Sequence, residues 1–260
     1  MSDFLDGASL AARLEGGLWR HIELAEVVPS TNAEVAARAK AGVPGGLVLI
    51  TGYQNAGRGR FDRVWEAPPD RSIAMSALLY PRRGMRAWGW LSLLAGVAVC
   101  EGLQAATGLP ATLKWPNDVL VRGRKICGIL CEAVPASRGA AAVLGMGINV
   151  ALRAEELPVP TATSVRLEGS DASGTDVAVA VLTSLEDLFT RWDAGQSLRP
   201  RYREHCSTLG AQVAVHIHDD RIVHGVAVDV AENGSLVVDT PEGRREFSSG
   251  DVVHLRRPGR

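Results

Sequence analysis

The stretch Leu113-Lys-Trp-Pro-Asn-Asp-Val-Leu-Val121, the turn Arg122-Gly-Arg124 and the run Lys125-Ile-Cys-Gly-Ile-Leu-Cys-Glu132 read together as a β-hairpin. Strand-forming apolar residues flank a short loop that carries a glycine. Lys125 therefore opens the returning strand and faces what Lys114, Asn117 and Asp118 face. The chain has 28 basic residues, yet its only lysines are Lys40, Lys114 and Lys125. Arginine is the background habit, so two lysines in one hairpin are informative. A compact ammonium placed against a transferring carboxylate or phosphate does what a planar guanidinium does not.

Working outward, Leu47–Ile50, Ser72–Tyr80 and Ala141–Gly145 read as strands. Ala87–Thr107 reads as a buried helix stopped by Gly108-Leu-Pro110, and Asp176–Asp193 as another after a low-complexity linker, 169–175. Ser9–Leu14 is a short helix, and Thr31-Asn-Ala-Glu34 has the spacing of a capping box that opens a helix to Lys40. The expected fold class is α+β, a mixed sheet packed on helices. From Gly210 the chain changes to short alternating segments: Gln212–His216, Val223–Val230, Ser235–Asp239 and Arg244–Phe247, punctuated by Glu232-Asn-Gly234 and Pro241-Glu-Gly243. That is the signature of a small antiparallel barrel. The expected division is a large domain over 1–206 and a small domain over 207–260. His216 and His218 alternate onto one strand face without a third ligand, and no metal site is expected there.

Between the first two strands lies Gly52-Tyr-Gln-Asn-Ala-Gly-Arg-Gly-Arg-Phe-Asp-Arg-Val-Trp65, with Arg58, Arg60 and Arg63 set among glycines. Gly57 and Gly59 permit positive φ and close backbone approach, so the loop's amides and the forks of Arg58 and Arg60 suit one phosphate or carboxylate. Ser30 and Thr31 read first as a helix cap, and a cap's fixed donors also form a polar binding site. No Walker A sequence is present, and Gly57-x-Gly59-x-x-Asp62 fails the third glycine of a dinucleotide fingerprint.

A hydrophobic fraction of 46% with 22% charged residues describes a globular chain, and a net charge of −1 gives no global field for nucleic acid or an anionic membrane. The residues ahead of the core are too few for a helix-turn-helix domain. The longest apolar run, Ala87–Cys100, is shorter than the roughly 20 residues a bilayer span needs. An acidic start, Met1-Ser-Asp-Phe-Leu-Asp6, does not read as a secretion signal, so the cytoplasm is expected. Cys127 and Cys131 fall in a strand, Cys100 in the apolar helix and Cys206 nearer the surface, with no zinc or redox spacing. Reduced thiols are expected.

With Pro29-Ser-Thr-Asn32 upstream and Gly145-Met-Gly-Ile-Asn149 downstream, these motifs closely resemble those of biotin protein ligases. The resemblance runs in order from Ser30 to Ala162-Thr-Ser164 and more weakly to Arg256. One departure is Asp62, which stands where family loops of the form Gly-Arg-Gly-Arg-x-Gly-Arg carry their next glycine. The resemblance implies a catalytic domain like that of class II aminoacyl-tRNA synthetases, an SH3-like C-terminal domain, and the monofunctional form without a DNA-binding domain. It also implies a two-step reaction in which biotin and MgATP give biotinyl-5′-AMP, whose acyl group passes to a lysine of the biotin carboxyl carrier domain of an acyl-CoA carboxylase.

In that reading Lys125 bridges the biotin carboxylate and the α-phosphate, Arg58 and Arg60 close over the adenylate, and Lys114 adds positive potential. Ser30, Thr31, Asn32 and Gln54 address the ureido ring, and Asn149 reads the adenine edge. Gly57, Gly59, Asn117 and Gly128 complete the expected site. Trp65 packs on the folded loop or on the base, Asp118 orients a loop arginine or helps to position Mg²⁺, and Arg63 has the plainer reading of a surface ion pair. The loop from Gly57 to Trp65 is expected to be mobile without ligand and to close over a water-sensitive intermediate. A monomer or weak dimer is expected. Two other classes compete: a lipoate-protein ligase, from which the Gly-Arg-Gly-Arg loop and Lys-Trp-Pro-Asn-Asp run separate this chain, and a repressor, whose expected DNA-binding domain is missing, or a non-catalytic biotin-binding module, which leaves Lys125 without a purpose.

Overall fold

Alternate residues of one strand, β2 (Leu47–Thr51), feed two different apolar clusters, and this period of two sets the layering. Val48 and Ile50 join the larger cluster, under the long helices α3 (Gly89–Thr107) and α4 (Gly174–Asp193). Leu47 and Leu49 point the other way and pack with Val35 and Ala39 of α2 (Thr31–Lys40). A sheet buried on both faces explains why every residue of β2 and of β3 (Ser72–Leu79) is buried. The computed structural model describes residues 4–61, 63–217 and 221–255. Its first sheet has seven strands in the order β1-β2-β3-β7-β6-β5-β4. The remaining strands are β1 (His21–Ala25), β4 (Ala111–Lys114), β5 (Asp118–Val121), β6 (Arg124–Ala136) and β7 (Gly139–Asn149). Only β1 and β2 run parallel, so the sheet is mixed, as expected.

Several boundaries differ from the sequence reading. The first helix, α1, is Gly7–Arg13, because Asp6 caps it by accepting from the Ala8 and Ser9 amides. Helix α2 is capped by Ser30, one residue before the expected box. A short 3₁₀ turn, Met85–Ala87, precedes α3. The stretch 169–175, expected as a linker, ends inside α4, which Ser173 caps through the Asp176 amide and which buries Thr175. Helix α5 (Arg199–His205) and strand β1 have no clear periodicity and were not anticipated. By length and composition α3 would suit a membrane span, but 67% of it is buried inside the fold. Cys206 is buried rather than near the surface, and the four cysteines are free.

The C-terminal segment forms a five-stranded antiparallel sheet, β11-β10-β9-β8-β12. It comprises β8 (Gln212–His216), β9 (Ile222–Val230), β10 (Leu236–Thr240), β11 (Gly243–Phe247) and β12 (Asp251–His254), the last not expected. The end strands β11 and β12 are not paired with each other, so the sheet is open where a barrel was expected. His218 lies outside the described residues. This sheet is fastened to the first one: the Trp115 amide donates to Thr208 Oγ1 at 3.0 Å, and the Trp115 indole donates to the Gly234 carbonyl at 3.2 Å.

Glu101 of α3 ties three helices together. Arg201 donates to both its oxygens at 2.5 and 2.8 Å, and Ser184 donates at 2.7 Å. Burial pushes this carboxyl up, but His205, Arg201 and Ser184 outweigh burial and hold it at about 2, below its ordinary 4.5. A depressed carboxylate stabilises the fold fully above its unfolded value and loses that contribution as pH falls toward its folded value. Between pH 4.5 and 2, urea melts should show wild type losing up to about 3 kcal/mol more than Glu101→Gln. Parallel losses would contradict this.

Candidate active site

Helix α2 covers only part of its sheet face, over Leu78, Val134, Ala141 and Val143. Beyond its N-terminus the same face carries small residues: Ala74 and Ser76 on β3, Gly145 and Gly147 on β7, and Gly128 on β6, in register with one another. A cavity of about 300 Å³ opens over this floor. Side chains would close it: a Cβ on Gly147 would lie 2.6 Å from the Trp65 indole, and one on Gly145 would run into Asn32 Oδ1.

The α2 terminus forms one wall. With Ser30 serving as the cap, the Thr31 amide and hydroxyl donate to Gln54 Oε1 at 2.7 and 3.1 Å. The buried Ser76 hydroxyl sits 2.7 Å from Thr31 Oγ1 and 2.6 Å from Asn32 Oδ1. Asn32 Nδ2 donates to the Leu130 carbonyl at 3.1 Å and to Glu132 at 2.7 Å. The neutral Ser30, Thr31, Asn32 and Ser76 are buried and, with half-buried Gln54, mutually fixed, which suits an uncharged polar ring. Ser76 and Glu132 were not anticipated, because each is a single polar residue within an apolar strand pattern.

The opposite wall is cationic. Five cations, Arg58, Arg60, Arg63, Lys114 and Lys125, line the cavity against the carboxylates Asp118 and Asp251. The arginine loop folds as a small hairpin, with Arg58 bridged to Val64 and the Gly59 amide donating to the Arg63 carbonyl at 2.7 Å. Contrary to expectation, Phe61 rather than Gly57 or Gly59 holds the positive φ, at 54°. Gly57 turns away from the cavity, and its role is close approach: a Cβ there would strike the Trp65 carbonyl. Asp62 lies outside the described residues. Arg58 pairs with Glu132 at 2.9 Å, and Arg60 donates to Asn117 Oδ1 at 3.1 Å. Burial draws the Arg60 guanidinium below its usual range, opposed by the charges of Asp251 and Asp118.

Arg63 forms an ion pair, as its plainer reading held, and its partner is Asp251 on β12, so the C-terminal sheet contributes to the cavity rim. Lys125 Nζ lies 2.6 Å from Asp118 Oδ1, and the Asp118 charge also reaches the loop arginine Arg60. Among the described residues no carboxylate lies within ion-pair distance of Lys114, which leaves its charge free for a ligand. Asn149 stands on the cavity face of β7, two residues beyond Gly147. It is buried, its oxygen accepting from Ser72 at 3.0 Å and its amide donating to the Thr163 carbonyl at 3.0 Å, and it sits outside the cavity lining. Each end of the amide keeps one further hydrogen-bonding site.

A neutral polar slot that opens beside a cluster of cations can hold an uncharged ring at one end and bring its carboxylate against a polyphosphate at the other. That combination defines a carboxylate-activating, nucleotide-using ligase. Residues 24–149 match the Biotin/lipoate A/B protein ligase family, and residues 208–255 match the Biotin protein ligase C terminal domain. The chain is 38% identical to a biotin--[acetyl-CoA-carboxylase] ligase of Mycobacterium tuberculosis, over 97% of this chain and 96% of that protein. It is 32% identical to the ligase of the same name from Paracoccus denitrificans, over 86% of this chain and 96% of that one. Among solved structures, biotin protein ligase from Aquifex aeolicus in complex with biotin and ATP superposes with a TM-score of 0.77 at 26% identity, covering 92% of this chain and 100% of that one. The chain belongs to the biotin protein ligase family.

Proposed function

We propose that this chain activates biotin with ATP as biotinyl-5′-AMP and transfers the biotinyl group to a lysine of a biotin carboxyl carrier domain of an acyl-CoA carboxylase. The observation that carries this reading is the junction of two unlike half-sites, the neutral Thr31–Asn32–Gln54–Ser76 slot and the Arg58–Arg60–Lys114–Lys125 cluster, across one small-residue floor. In the first step a carboxylate oxygen of biotin attacks the α-phosphorus and pyrophosphate leaves. Two anions meet there, so positioned cations are the principal requirement. In the second step the carrier amine attacks the acyl carbon and AMP leaves with the former carboxylate oxygen. No enzyme nucleophile is needed.

Mg²⁺ enters with the nucleotide. Among the described residues no group of three His, Cys, Asp or Glu side chains forms a metal cage, and an ion shared between substrate phosphates and water needs none. Trp65, over Gly128 and Gly147, walls the biotin end. We further assign the catalytic domain to 1–206, with the architecture of class II aminoacyl-tRNA synthetases, and an SH3-like unit to 207–260. Unpaired cysteines support a reducing, cytoplasmic compartment, and a monomer or weak dimer serves the chemistry.

The test is to incubate the protein with ATP and either biotin or lipoate and to measure pyrophosphate. Release with biotin alone supports this reading, release with lipoate alone supports a lipoate ligase, and release with neither, alongside biotin binding, indicates a binding module. Gly145→Ala should weaken biotin binding about 5- to 150-fold, the equivalent of about 1 to 3 kcal/mol of overpacking, because Asn32 is held on both sides and cannot retreat. Unchanged calorimetric affinity would refute the slot.

The carrier meets the enzyme at a sheet edge. Strand β5 accompanies β6 only as far as Gly128, so residues 131–136 have a sheet neighbour on the β7 side alone, beside the arginine loop. Backbone pairing there would be insensitive to salt. Carrier biotinylation that drops steeply with salt while adenylate synthesis holds would indicate electrostatic docking instead.

A further inference from the structure

Lys125 stands at an irregularity of its own strand. The β5–β6 register steps between Val119 and Leu120, leaving Ile126 as an extra residue, and such bulges re-aim neighbouring side chains. The backbone beside the bulge is held from outside the hairpin: the Lys125 amide donates to the Thr161 carbonyl at 2.8 Å, and the Lys125 carbonyl accepts from the Thr163 amide at 2.8 Å. The segment that supplies these bonds is itself fixed. The Thr163 hydroxyl donates to Glu168 at 2.7 Å, and the Thr163 carbonyl accepts from Asn149.

Glu168 closes the arrangement. Its side chain is 0% exposed, and it accepts from Arg122 at 2.5 Å and from Arg124 at 2.7 Å, the two arginines of the turn before Lys125. Burial pushes its carboxyl up, but Thr163, Arg122 and Arg124 hold it below the usual carboxylate range. Only the carboxylate of these pairs is buried, and an ion pair of this kind is weak evidence for added stability; its better-attested use is to select one arrangement of the chain. Here the arrangement selected is that of the strand start bearing Lys125. Glu168, Thr163, Arg122 and Arg124 lie outside the cavity lining.

We propose that Glu168, acting through Thr163 and the Arg122–Arg124 turn, is a positioning residue that sets the aim of the Lys125 ammonium into the active site. The inference rests on the ligase reading for its kinetic effect but not for its structural one. A displacement of about 1 Å at a reacting centre lowers rates by up to about 10²-fold. The experiment compares Glu168→Gln, which keeps shape and removes charge, with Thr163→Val and Thr163→Ser, in biotin-dependent exchange of labelled pyrophosphate into ATP. Glu168→Gln and Thr163→Val should lower kcat at least about tenfold with the KM for biotin within about twofold, and Thr163→Ser, which keeps the hydroxyl, should stay near wild type.

The decisive comparison repeats Glu168→Gln in a Lys125→Ala background. A residue acting through Lys125 adds almost nothing there, whereas a generally structural residue lowers the rate equally in both backgrounds. Equal losses would overturn the proposal. If Glu168→Gln does not fold, the Thr163→Val and Thr163→Ser pair carries the same cycle. A second readout needs no catalysis. The chain's only lysines are Lys40, Lys114 and Lys125, so after reductive ¹³C-methylation the Lys125 signal is assignable by substitution. It should move in Glu168→Gln while that of Lys40 stays; an unmoved Lys125 signal would also overturn the proposal. Wild type that exchanges no pyrophosphate, with a Lys125 signal that still moves, would sink the ligase reading and leave the brace standing.

Discussion

Lys125→Ala is expected to slow biotin-dependent pyrophosphate release by about 10² to 10³, or about 2.7 to 4 kcal/mol, the scale for losing one preorganised stabilising group. The loss has two parts. The ammonium that meets the carboxylate and α-phosphate disappears, and Asp118, now paired with it at 2.6 Å, remains as an uncompensated anion where more negative charge must enter. Lys125→Ala with Asp118→Asn should therefore recover part of the rate. Lys125→Arg should recover little, because a planar fork cannot occupy the same point as a compact ammonium. Biotin affinity, set by the Thr31–Asn32–Ser76 slot, should change far less than the rate. Wild-type pyrophosphate release from Lys125→Ala would rule out this role, and full activity of the double variant would assign the whole defect to Asp118.

The features legible in the sequence were those with local chemistry. The β5–β6 hairpin announced itself through Arg122-Gly-Arg124, where Arg122 takes φ 49° and Gly123 φ 77°, and the apolar runs of β2, β3 and α3 read correctly because burial on both faces leaves few polar interruptions. Strand β1 was not legible. Its residues are mostly half-exposed, and it is a strand only because β2 pairs with it in parallel. Most of the expected residues line the cavity, since glycine, lysine and arginine at odd positions stand out. Asn149 is ambiguous for a related reason: Asn can serve as a reader or as a brace, and its bonds to Ser72 and to the Thr163 carbonyl supply the bracing part. Ser76, Glu132 and Glu168 were missed because the chain partners that give each its meaning lie 44, 100 and 46 residues away, at Asn32 and Arg122. The contribution of β12 was equally invisible, since it depends on how the second sheet is set against the first.

Arg60→Gly is expected to release biotinyl-5′-AMP faster than it impairs its synthesis. Arg60 is the loop residue with the widest reach: its guanidinium donates to Asn117 Oδ1 at 3.1 Å and to the Gly250 carbonyl at 3.5 Å, and it lies 4.7 Å from the Phe61 ring centroid. It thus fastens the arginine hairpin to the catalytic sheet and to the turn before β12. Hydrogen bonds from a charged donor contribute about 1.5 to 3 kcal/mol, the longer contact less, and glycine adds backbone freedom to a hairpin that already contains Gly57 and Gly59. Each 1.4 kcal/mol lost lowers the closed population about tenfold relative to the open one, so adenylate escape should rise about tenfold or more. Free adenylate is an activated acyl donor and would biotinylate exposed lysines on bystander proteins without selection. Arg60→Lys should fall between, keeping the charge but reaching one partner at a time. Biotin binding should stay within about twofold, since Arg60 makes no contact with Thr31, Asn32 or Gln54. The measurement is stopped-flow dissociation of adenylate together with biotin incorporation into added serum albumin; adenylate that leaves Arg60→Gly at the wild-type rate would show that the hairpin is held shut by Arg63 and Asp251 instead.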